Sequence, residues 1–263
     1  MLPLLLASLV SAPTEFHPEA HSHNDYEHAR PFHLAYENGF ASYEADVFLV
    51  EGDLKVAHDR EDIKPERTLK SLYLEPMTKA AKANNGWLFK PGQQVVLMVD
   101  IKADGAEAWK VLRTQAMQYP ELFATHGRGP VRIVVSGDRP RDLIFADPQA
   151  ITWFDGRSSD LETPGGPIHM ISENWRSHFT NVGLSPFKQE EKEKLLAWTG
   201  KAHALGRKVR FWATPESEKL WETLLENGVD YIGTDKPEVL NRFLTKRKGR
   251  LSGSTVNSEF SFR

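Results

Sequence analysis

Two histidines stand two residues apart in the stretch AHSHNDY, where His21 and His23 are followed by Asn24 and Asp25. The run before them is short and extended in character, and in a strand alternate side chains point to the same face. The two imidazoles can therefore act together, either as proton-transfer groups or as metal ligands. The residues that converge with them decide between these uses.

A pair of acids lies in the next apolar run, SYEADVFLV, where Glu44 and Asp46 occupy alternate positions. They face one way by the period of a strand, and burying two like charges side by side is costly unless a cation or a proton lies between them. Hard cations such as Mg²⁺ and Ca²⁺ prefer oxygen ligands of this kind. The spacing therefore predicts a divalent metal site.

Three further residues follow apolar runs and extend this set. A short turn, EGD, leads into LKVAHDR, whose return strand is expected to bring His58 close to the acids. The run VVLMVDIKAD ends with Asp100 and Lys102, which share a face. Asp100 completes a set of three carboxylates with Glu44 and Asp46, and Lys102 offers a cation for an anionic substrate group.

The later apolar runs supply fewer candidates. Arg210 and Trp212 lie in KVRFWATPE, where Trp212 is expected to line the site. Arg210 either balances the charge of a bound phosphate or pairs with a neighbouring acid. Asp235 precedes Lys236 and Pro237, which favours an N-cap of the last helix over metal ligation.

Apolar runs alternate with amphipathic stretches of helical length from residue 18 to residue 247, as in repeated βα units. The predicted strands are Glu19–His23, Ser42–Phe48, Val95–Ile101, Val131–Ser136, Ala150–Phe154, Ile168–Ser172, Lys208–Ala213 and Val229–Gly233. The predicted helices are Pro31–Asn38, Leu69–Ala83, Gly105–Tyr119, Arg139–Ala146, Lys188–Leu205, Glu216–Glu226 and Pro237–Leu244. This pattern predicts an α/β protein with one (β/α)8 TIM-type barrel over residues 13–247, in which catalytic residues lie at the carboxyl ends of the strands.

The composition and the two ends of the chain limit which functions and cellular locations are expected. The absence of cysteine among 263 residues removes disulfides, thiolate nucleophiles and cysteine-based zinc sites. A formal net charge of −3, with no dense basic block, gives no support to nucleic acid as a partner. Residues 1–12 resemble a weak or truncated signal peptide, so we expect a secreted or periplasmic protein, and residues 248–263 are expected to form a flexible polar tail.

These motifs resemble the superfamily of phosphatidylinositol-specific phospholipases C, glycerophosphodiester phosphodiesterases and sphingomyelinase D toxins. The segments GFASYEADVFLVEGDLKVAHD, DIK, FWAT and GVDYIGTDKPEVL are similar to the phosphodiesterase pattern, and SHNDY is similar to the Ser-His-Asn-Thr-Tyr of the phospholipases. The runs HSHNDYEHARP and RTLKSLYLEPM resemble a branch named after altered inheritance of mitochondria proteins. The His-Arg-Gly and Pro-Glu-Asn-Thr motifs of the phosphodiesterases are absent.

The resemblance implies a metal-dependent phosphodiesterase acting on a glycerophosphodiester or a phospholipid headgroup, with Mg²⁺ or Ca²⁺ as cofactor. It implies that His23 and His58 are catalytic, that Asn24 joins the acids as a metal ligand, and that Lys102 contacts the phosphate. An alignment of His-Arg-Gly on Ala20 and His21 would instead make His21 the base. The expected partner is a small phosphodiester or lipid headgroup bound by a monomer, with at most transient membrane contact.

Two other functions are compatible with the same residues. An amidohydrolase-like zinc hydrolase also begins with His-x-His after the first strand, and would draw further ligands from His169 and Asp235. A barrel that binds phosphate or a headgroup without turnover is the second. Tightly held zinc would favour the first, and headgroup binding without product would favour the second.

Overall fold

The computed structural model describes residue 13 and residues 15–259. The segment 1–12, expected from its sequence to resemble a signal peptide, lies outside the described residues. Within the described part of the chain, no helix is long and apolar enough to cross a membrane.

Parallel strands surround a common interior, and their bounds agree closely with the predicted runs. They are β1 (His17–Ser22), β2 (Phe40–Val50), β4 (Val95–Ile101), β5 (Val131–Gly137), β6 (Thr152–Gly156), β7 (Ile168–Asn174), β8 (Lys208–Trp212) and β9 (Ile232–Thr234), with β3 (Asp53–Val56) as an added antiparallel strand. The order is β8-β7-β6-β5-β4-β2-β1-β9, and a parallel bridge between Arg210 and Tyr231 joins its two ends. The predicted (β/α)8 barrel is therefore confirmed.

Helices cover the outside of the strands and bury their apolar faces. They are α1 (His33–Glu37), α2 (Glu75–Ala83), α3 (Gly105–Met117), α4 (Arg141–Ala146), α5 (Trp175–His178), α6 (Gln189–Ala204), α7 (Glu218–Glu226) and α8 (Pro237–Glu259). A π-helical segment, Lys70–Leu74, leads into α2. The main core lies between these helices and the strands, as expected for strands that are apolar on both faces.

A second apolar cluster fills the inside of the barrel. Its buried members are Val96, Met98, Val134, Met170 and Tyr231, against which Trp153 packs. Because alternate residues of a strand share a face, the next inward positions beyond Met98 and Val134 are Asp100 and Ser136. The interior thus changes from apolar to polar toward the carboxyl ends of the strands.

Strand β3 forms a hairpin with β2 and lies beside the barrel rather than in its wall. Glu51 and Gly52 form the two-residue turn, with φ of +49° and +78°, the backbone geometry of a type I′ hairpin turn. Val56 of β3 pairs with Val47 of β2. The predicted return strand is confirmed, and it delivers His58 two residues after β3 ends.

The carboxyl-terminal segment differs from the prediction. The flexible tail was expected from residue 248, but α8 continues to Glu259. Glu222 of α7 accepts hydrogen bonds from Arg247 Nε at 2.8 Å and from Arg250 Nη2 at 2.6 Å. Charged residues are also good helix formers, and Arg250 of the predicted tail shares an ionic partner on the neighbouring helix with Arg247, which lies just before the tail.

Gly39 ends α1 and turns the chain into β2, with φ of +79°. A Cβ atom there would lie 2.7 Å from the carbonyl oxygen of Glu15. We expect Gly39→Ala to lower the free energy of unfolding by about 2–4 kcal/mol, because a backbone clash adds to left-handed strain. Gly92→Ala is the matched control, since Gly92 has φ of +86° but nothing within 4 Å of the added Cβ.

Urea unfolding of both variants measures the difference. The control substitution, Gly92→Ala, should lower the free energy of unfolding by only about 1 kcal/mol. Equal losses in the two variants would show that the contact with Glu15 adds nothing.

Candidate active site

Three carboxylates meet at the carboxyl ends of β2 and β4. Asp46 and Asp100 are register partners on these adjacent parallel strands, and Glu44 lies two residues before Asp46 on the same face. One oxygen atom from each of the three lies within 4.8 Å of the others. Glu44 and Asp46 are buried, and Asp100 is 19% exposed.

Glu44 is held from two sides by buried groups. Its Oε2 accepts hydrogen bonds from Arg210 Nη2 at 2.8 Å and from His21 Nε2 at 3.0 Å, while Nδ1 of His21 lies 2.7 Å from the Ser42 hydroxyl. Although burial opposes it, the charge of Arg210 and the His21 hydrogen bond hold the pKa of Glu44 well below its usual range. Glu44 is therefore a fixed anion.

His21 is fully buried in this arrangement. Burial, reinforced by the charge of Arg210, lowers the pKa of His21 to about 4. The imidazole is thus neutral near pH 7, and both of its nitrogens have partners. Such a group positions Glu44.

A turn anchored by Asp25 places the next group of residues. The buried Asp25 carboxylate accepts hydrogen bonds from the Ser22 hydroxyl at 2.8 Å, the Phe32 backbone N–H at 2.6 Å and the Tyr73 hydroxyl at 2.9 Å. The preceding residue, Asn24, has the left-handed backbone that asparagine tolerates, with φ of +47°. This turn directs Tyr26 back toward the carboxylates.

The Tyr26 hydroxyl joins several site residues. It donates to Asp46 Oδ2 at 2.7 Å, and it lies 3.1 Å from both Asn24 Oδ1 and His58 Nδ1. His58 Nδ1 also lies 3.3 Å from Asp46 Oδ2, and the His58 side chain is 55% exposed. Nδ1 of His58 therefore faces the acids, which leaves Nε2 for the open side of the barrel.

Lys102 contacts both Asp46 and Asp100, the register partners on β2 and β4. Its Nζ lies 2.6 Å from Asp46 Oδ2 and 3.4 Å from Asp100 Oδ1. Burial alone would lower the pKa of Lys102, but Asp100 and Asp46 together raise it. Lys102 is therefore a cation at the edge of the carboxylate group.

His23 lies on the other side of this mouth, just after β1. Its Nδ1 is 2.7 Å from Asp235 Oδ1, which follows β9. His23 and Asp235 line a cavity of about 140 Å³ together with Trp212, whose ring also stacks against the guanidinium of Arg157 at 4.8 Å. The carboxylate of Asp235 thus orients the imidazole of His23, as in other acid–histidine pairs.

The carboxylate group has the properties of a cation site. Asp46 Oδ1 is buried and has no hydrogen-bond partner among the described residues. Burial raises the pKa of Asp100 to about 6. The charge of Lys102 acts in the opposite direction, whereas the charges of Asp46 and Glu44 raise the pKa further. Burial and the charge of Glu44 likewise raise the pKa of Asp46. Because a hard divalent cation would satisfy the unpaired oxygen and offset the repulsion, the donor set fits such an ion.

The contacts place two of the predicted site residues more deeply than the others. His21 is fully buried with both ring nitrogens partnered, and Arg210 pairs with Glu44 while also lining the cavity beside His23. Asn24 Oδ1 lies 3.1 Å from the Tyr26 hydroxyl, and in the described part of the chain its side chain has no hydrogen bond to the three acids. His23, His58, Lys102 and Trp212 lie at the mouth as expected.

Two residues of the candidate site were missed or misread. Tyr26 is the shared partner of Asp46 and His58, and the final Tyr of SHNDY was the available signal. Asp235 was expected to cap the last helix, but its carboxylate contacts His23 instead. Since the two residues are far apart in the chain, only the closure of the barrel brings them together.

The fold and the site define a phosphodiesterase-like (β/α)8 barrel. A crystal structure of a glycerophosphodiester phosphodiesterase from Parabacteroides distasonis has the same fold, with a TM-score of 0.52 and 16% identity over 89% of this chain and 99% of that one. The model of the glycerophosphoryl diester phosphodiesterase family matches residues 208–238. The model of the AIM6-like phosphodiesterase domain matches residues 15–155, more than half of the chain.

Full-length relatives agree with this match. The altered inheritance of mitochondria protein 6 homolog of Arthroderma benhamiae is 30% identical, over 82% of this chain and 80% of that protein. The altered inheritance of mitochondria protein 6 of Saccharomyces cerevisiae (strain ATCC 204508 / S288c) is 25% identical, over 85% of this chain and 69% of that protein. The chain belongs to the AIM6-like phosphodiesterase family.

These relatives also correct the expected location. The apolar start of the chain suggested a secreted or periplasmic protein. The relatives are named for the inheritance of mitochondria, a process inside the cell. The prediction of secretion is therefore wrong.

The raised pKa of Asp100 predicts how metal-free stability depends on pH. Because the folded pKa of about 6 exceeds the ordinary value of 3.8, the carboxyl favours folding below pH 3.8, and this contribution is lost as pH rises through 6. We expect Asp100→Asn to raise the free energy of unfolding of metal-free protein by about 1–2 kcal/mol at pH 8 and to have little effect at pH 4. Chemical denaturation in EDTA at the two pH values measures this.

Glu107→Gln is the matched control, because Glu107 is exposed on α3 and, among the described residues, forms an ion pair with Lys110 alone. It should leave stability nearly unchanged at both pH values. A loss of stability in Asp100→Asn that is equal at pH 4 and pH 8 would contradict the assigned pKa shift.

Proposed function

We propose that this protein is a metal-dependent phosphodiesterase that cleaves a P–O bond of a glycerophosphodiester or a phospholipid headgroup. The observation that carries the proposal is the group formed by Glu44, Asp46 and Asp100, whose central carboxylate has one unpaired buried oxygen and contacts both Lys102 and His58. Membership of the phosphodiesterase family supports the same reaction class.

Glu44, Asp46 and Asp100 would hold the metal, with Asn24 as a further proposed ligand. A bound Mg²⁺ or Ca²⁺ would polarise a phosphoryl oxygen and lower the pKa of a nearby hydroxyl or water. Arg210 and His21 contribute by fixing Glu44, because the guanidinium and the imidazole hold the same carboxylate oxygen.

His23 and His58 form the acid–base pair in this proposal. Each has Nδ1 directed toward an acid, Asp235 for His23 and Asp46 for His58, so each presents Nε2 to the mouth of the barrel. One neutral imidazole takes the proton of the nucleophile, and the other, protonated, gives a proton to the leaving alkoxide. Tyr26 keeps His58 in place through its hydroxyl.

Lys102 provides positive charge for the phosphoryl oxygens. Its ammonium group lies at the edge of the carboxylate group and keeps 24% of its side-chain surface exposed. A cation in this position stabilises the charge that builds up as the P–O bond breaks. If a hydroxyl of the substrate attacks, the first product is a cyclic phosphate, whereas attack by water gives a monoester.

The zinc hydrolase is the weaker candidate. His169 lies at the amino end of β7 and contacts Arg132 and Tyr231, away from the carboxylates. Among the described residues, the group able to hold a metal contains three acids and no histidine. Tightly held stoichiometric zinc would favour the amidohydrolase-like function, and headgroup binding without turnover would favour a binding module.

Removal of either mouth histidine is expected to abolish turnover. We expect His23→Ala and His58→Ala each to lower kcat by about 10²–10⁴-fold while the fold remains intact, since general acid or base catalysis contributes that much. The assay is a matrix of glycerophosphodiesters, phosphoinositides, sphingomyelin and lysophospholipids against Mg²⁺, Ca²⁺, Mn²⁺ and Zn²⁺, with analysis for cyclic phosphate.

His203→Ala is the matched control, because His203 is also exposed and paired with an acid, Asp230, but lies at the opposite end of the barrel. Its activity should equal that of the unaltered protein. Full activity of His23→Ala on every phosphodiester would remove His23 from the mechanism. Full activity of His58→Ala would likewise remove His58.

The central carboxylate should control metal dependence. We expect Asp46→Asn to lower activity and weaken activation by Mg²⁺ or Ca²⁺ by at least about tenfold, because it removes one charge from the donor set. Calorimetric titration with each metal measures the affinity independently of turnover. An unchanged titration would show that the acids form only a structural network with Lys102 and Arg210.

A further inference from the structure

A cavity of about 600 Å³ lies at the opposite end of the barrel from the carboxylate group. We call it the lower cavity. Its wall includes residues from the first positions of the strands, among them Ala41 of β2, Val96 of β4, Arg132 of β5 and His169 of β7. The apolar cluster inside the barrel lies between it and the acids. The two ends are therefore separate sites.

Arg132 has an unusual environment in this wall. Its guanidinium stacks on the Trp153 ring at 4.2 Å, Nη1 donates to His169 Nδ1 at 2.9 Å, and Nη2 makes a long contact of 3.4 Å with the Gly127 carbonyl. Arg132 Nε and Trp153 Nε1 are buried without a hydrogen-bond partner among the described residues. Most of the donor capacity of this arginine is therefore unused.

The charge of Arg132 is not neutralised by the residues around it. Burial lowers the pKa of Arg132, and no carboxylate of the described chain acts to raise it. Burial and the charge of Arg132 lower the pKa of His169 to about 3, so this neighbour is a neutral acceptor. A half-buried cation without a counterion carries part of the cost of burying a charge, and a bound anion would reduce that cost.

The other cations of the wall already have acidic partners. Lys208 pairs with Asp230 at 2.8 Å, and Arg247 pairs with Glu222 at 2.8 Å. Glu19 also lines the lower cavity, and its side chain has no ion pair among the described residues. Among the described residues, a ligand would thus meet one unpaired cation, Arg132, and one unpaired carboxylate, Glu19, since Asp230 is already paired with Lys208.

We propose that the lower cavity binds a small organic carboxylate through Arg132. The carboxylate would accept hydrogen bonds from the terminal nitrogens Nη1 and Nη2, each of which makes one contact with the protein and has a second N–H. The apolar part of the ligand would contact the apolar part of the wall, formed by Phe16, Ala41, Val96, Leu225 and Val229. Glu19 disfavours dianions such as phosphate monoesters. This site is independent of the proposed phosphodiesterase reaction.

The test uses the full chain and benzoate, a carboxylate on an apolar ring, in calorimetric titration. We expect saturable binding at one site, and Arg132→Met should weaken it at least about tenfold, because a charged hydrogen bond is lost. Arg128→Met is the matched control, since Arg128 is exposed in the loop that precedes β5 and lies outside the lower cavity. It should bind benzoate like the unaltered protein.

A third variant separates the two ends of the barrel. Lys102→Met should keep benzoate binding, whereas Arg132→Met should keep phosphodiester turnover. Benzoate binding that survives in Arg132→Met, or is lost in Lys102→Met, would overturn the proposal. Preferential binding of inorganic phosphate that depends on Arg132 would overturn the choice of a carboxylate.

Glu19→Gln keeps the proposal testable if Arg132→Met fails to fold. Removal of the repelling charge should tighten benzoate binding about twofold to fivefold, as expected for a charge acting across a partly polar cavity. Unchanged or weaker binding in Glu19→Gln would show that the anion does not enter the lower cavity.

Discussion

The crowding of three carboxylates at the ends of two neighbouring strands is the constraint on which the rest of this site depends. Parallel pairing puts Asp46 directly beside Asp100, and the period of the strand puts Glu44 on the same face. Like charges at this depth must be compensated. Arg210, Lys102 and Tyr26 do so from three different directions, so the positions of these side chains follow from the repulsion that they relieve.

The sequence predicts most of the scaffold because its signals are local. Alternating and β-branched runs locate the strands, and their register follows once the barrel is assumed. Depth is harder to predict. The alternation of side chains along a strand shows which face His21 occupies, but it does not show how far inside the barrel His21 lies. His21 and Arg210 therefore looked like groups that meet a substrate, whereas both lie beneath the acids and hold Glu44.

Partners far apart in the chain account for the remaining differences. Asp235 meets His23 only because β9 closes against β1, and Arg247 and Arg250 extend α8 because Glu222 lies on the neighbouring helix. Tyr26 escaped notice because it lies in a turn, where no periodic pattern reveals its direction. Its position depends on the buried carboxylate of Asp25 and on the left-handed backbone of Asn24.

The hairpin that carries His58 has a consequence for how such a site can change. Strand β3 pairs with β2, which is the only strand of the barrel wall that it pairs with in the described part of the chain, and it lies outside the closed wall. A change in the length of its turn would rotate or withdraw His58 and leave the carboxylates, which belong to the wall, in place. Divergence among descendants of this scaffold can thus alter or delete the proposed proton-transfer group without rebuilding the carboxylate group, so the two halves of the proposed chemistry are free to evolve at different rates.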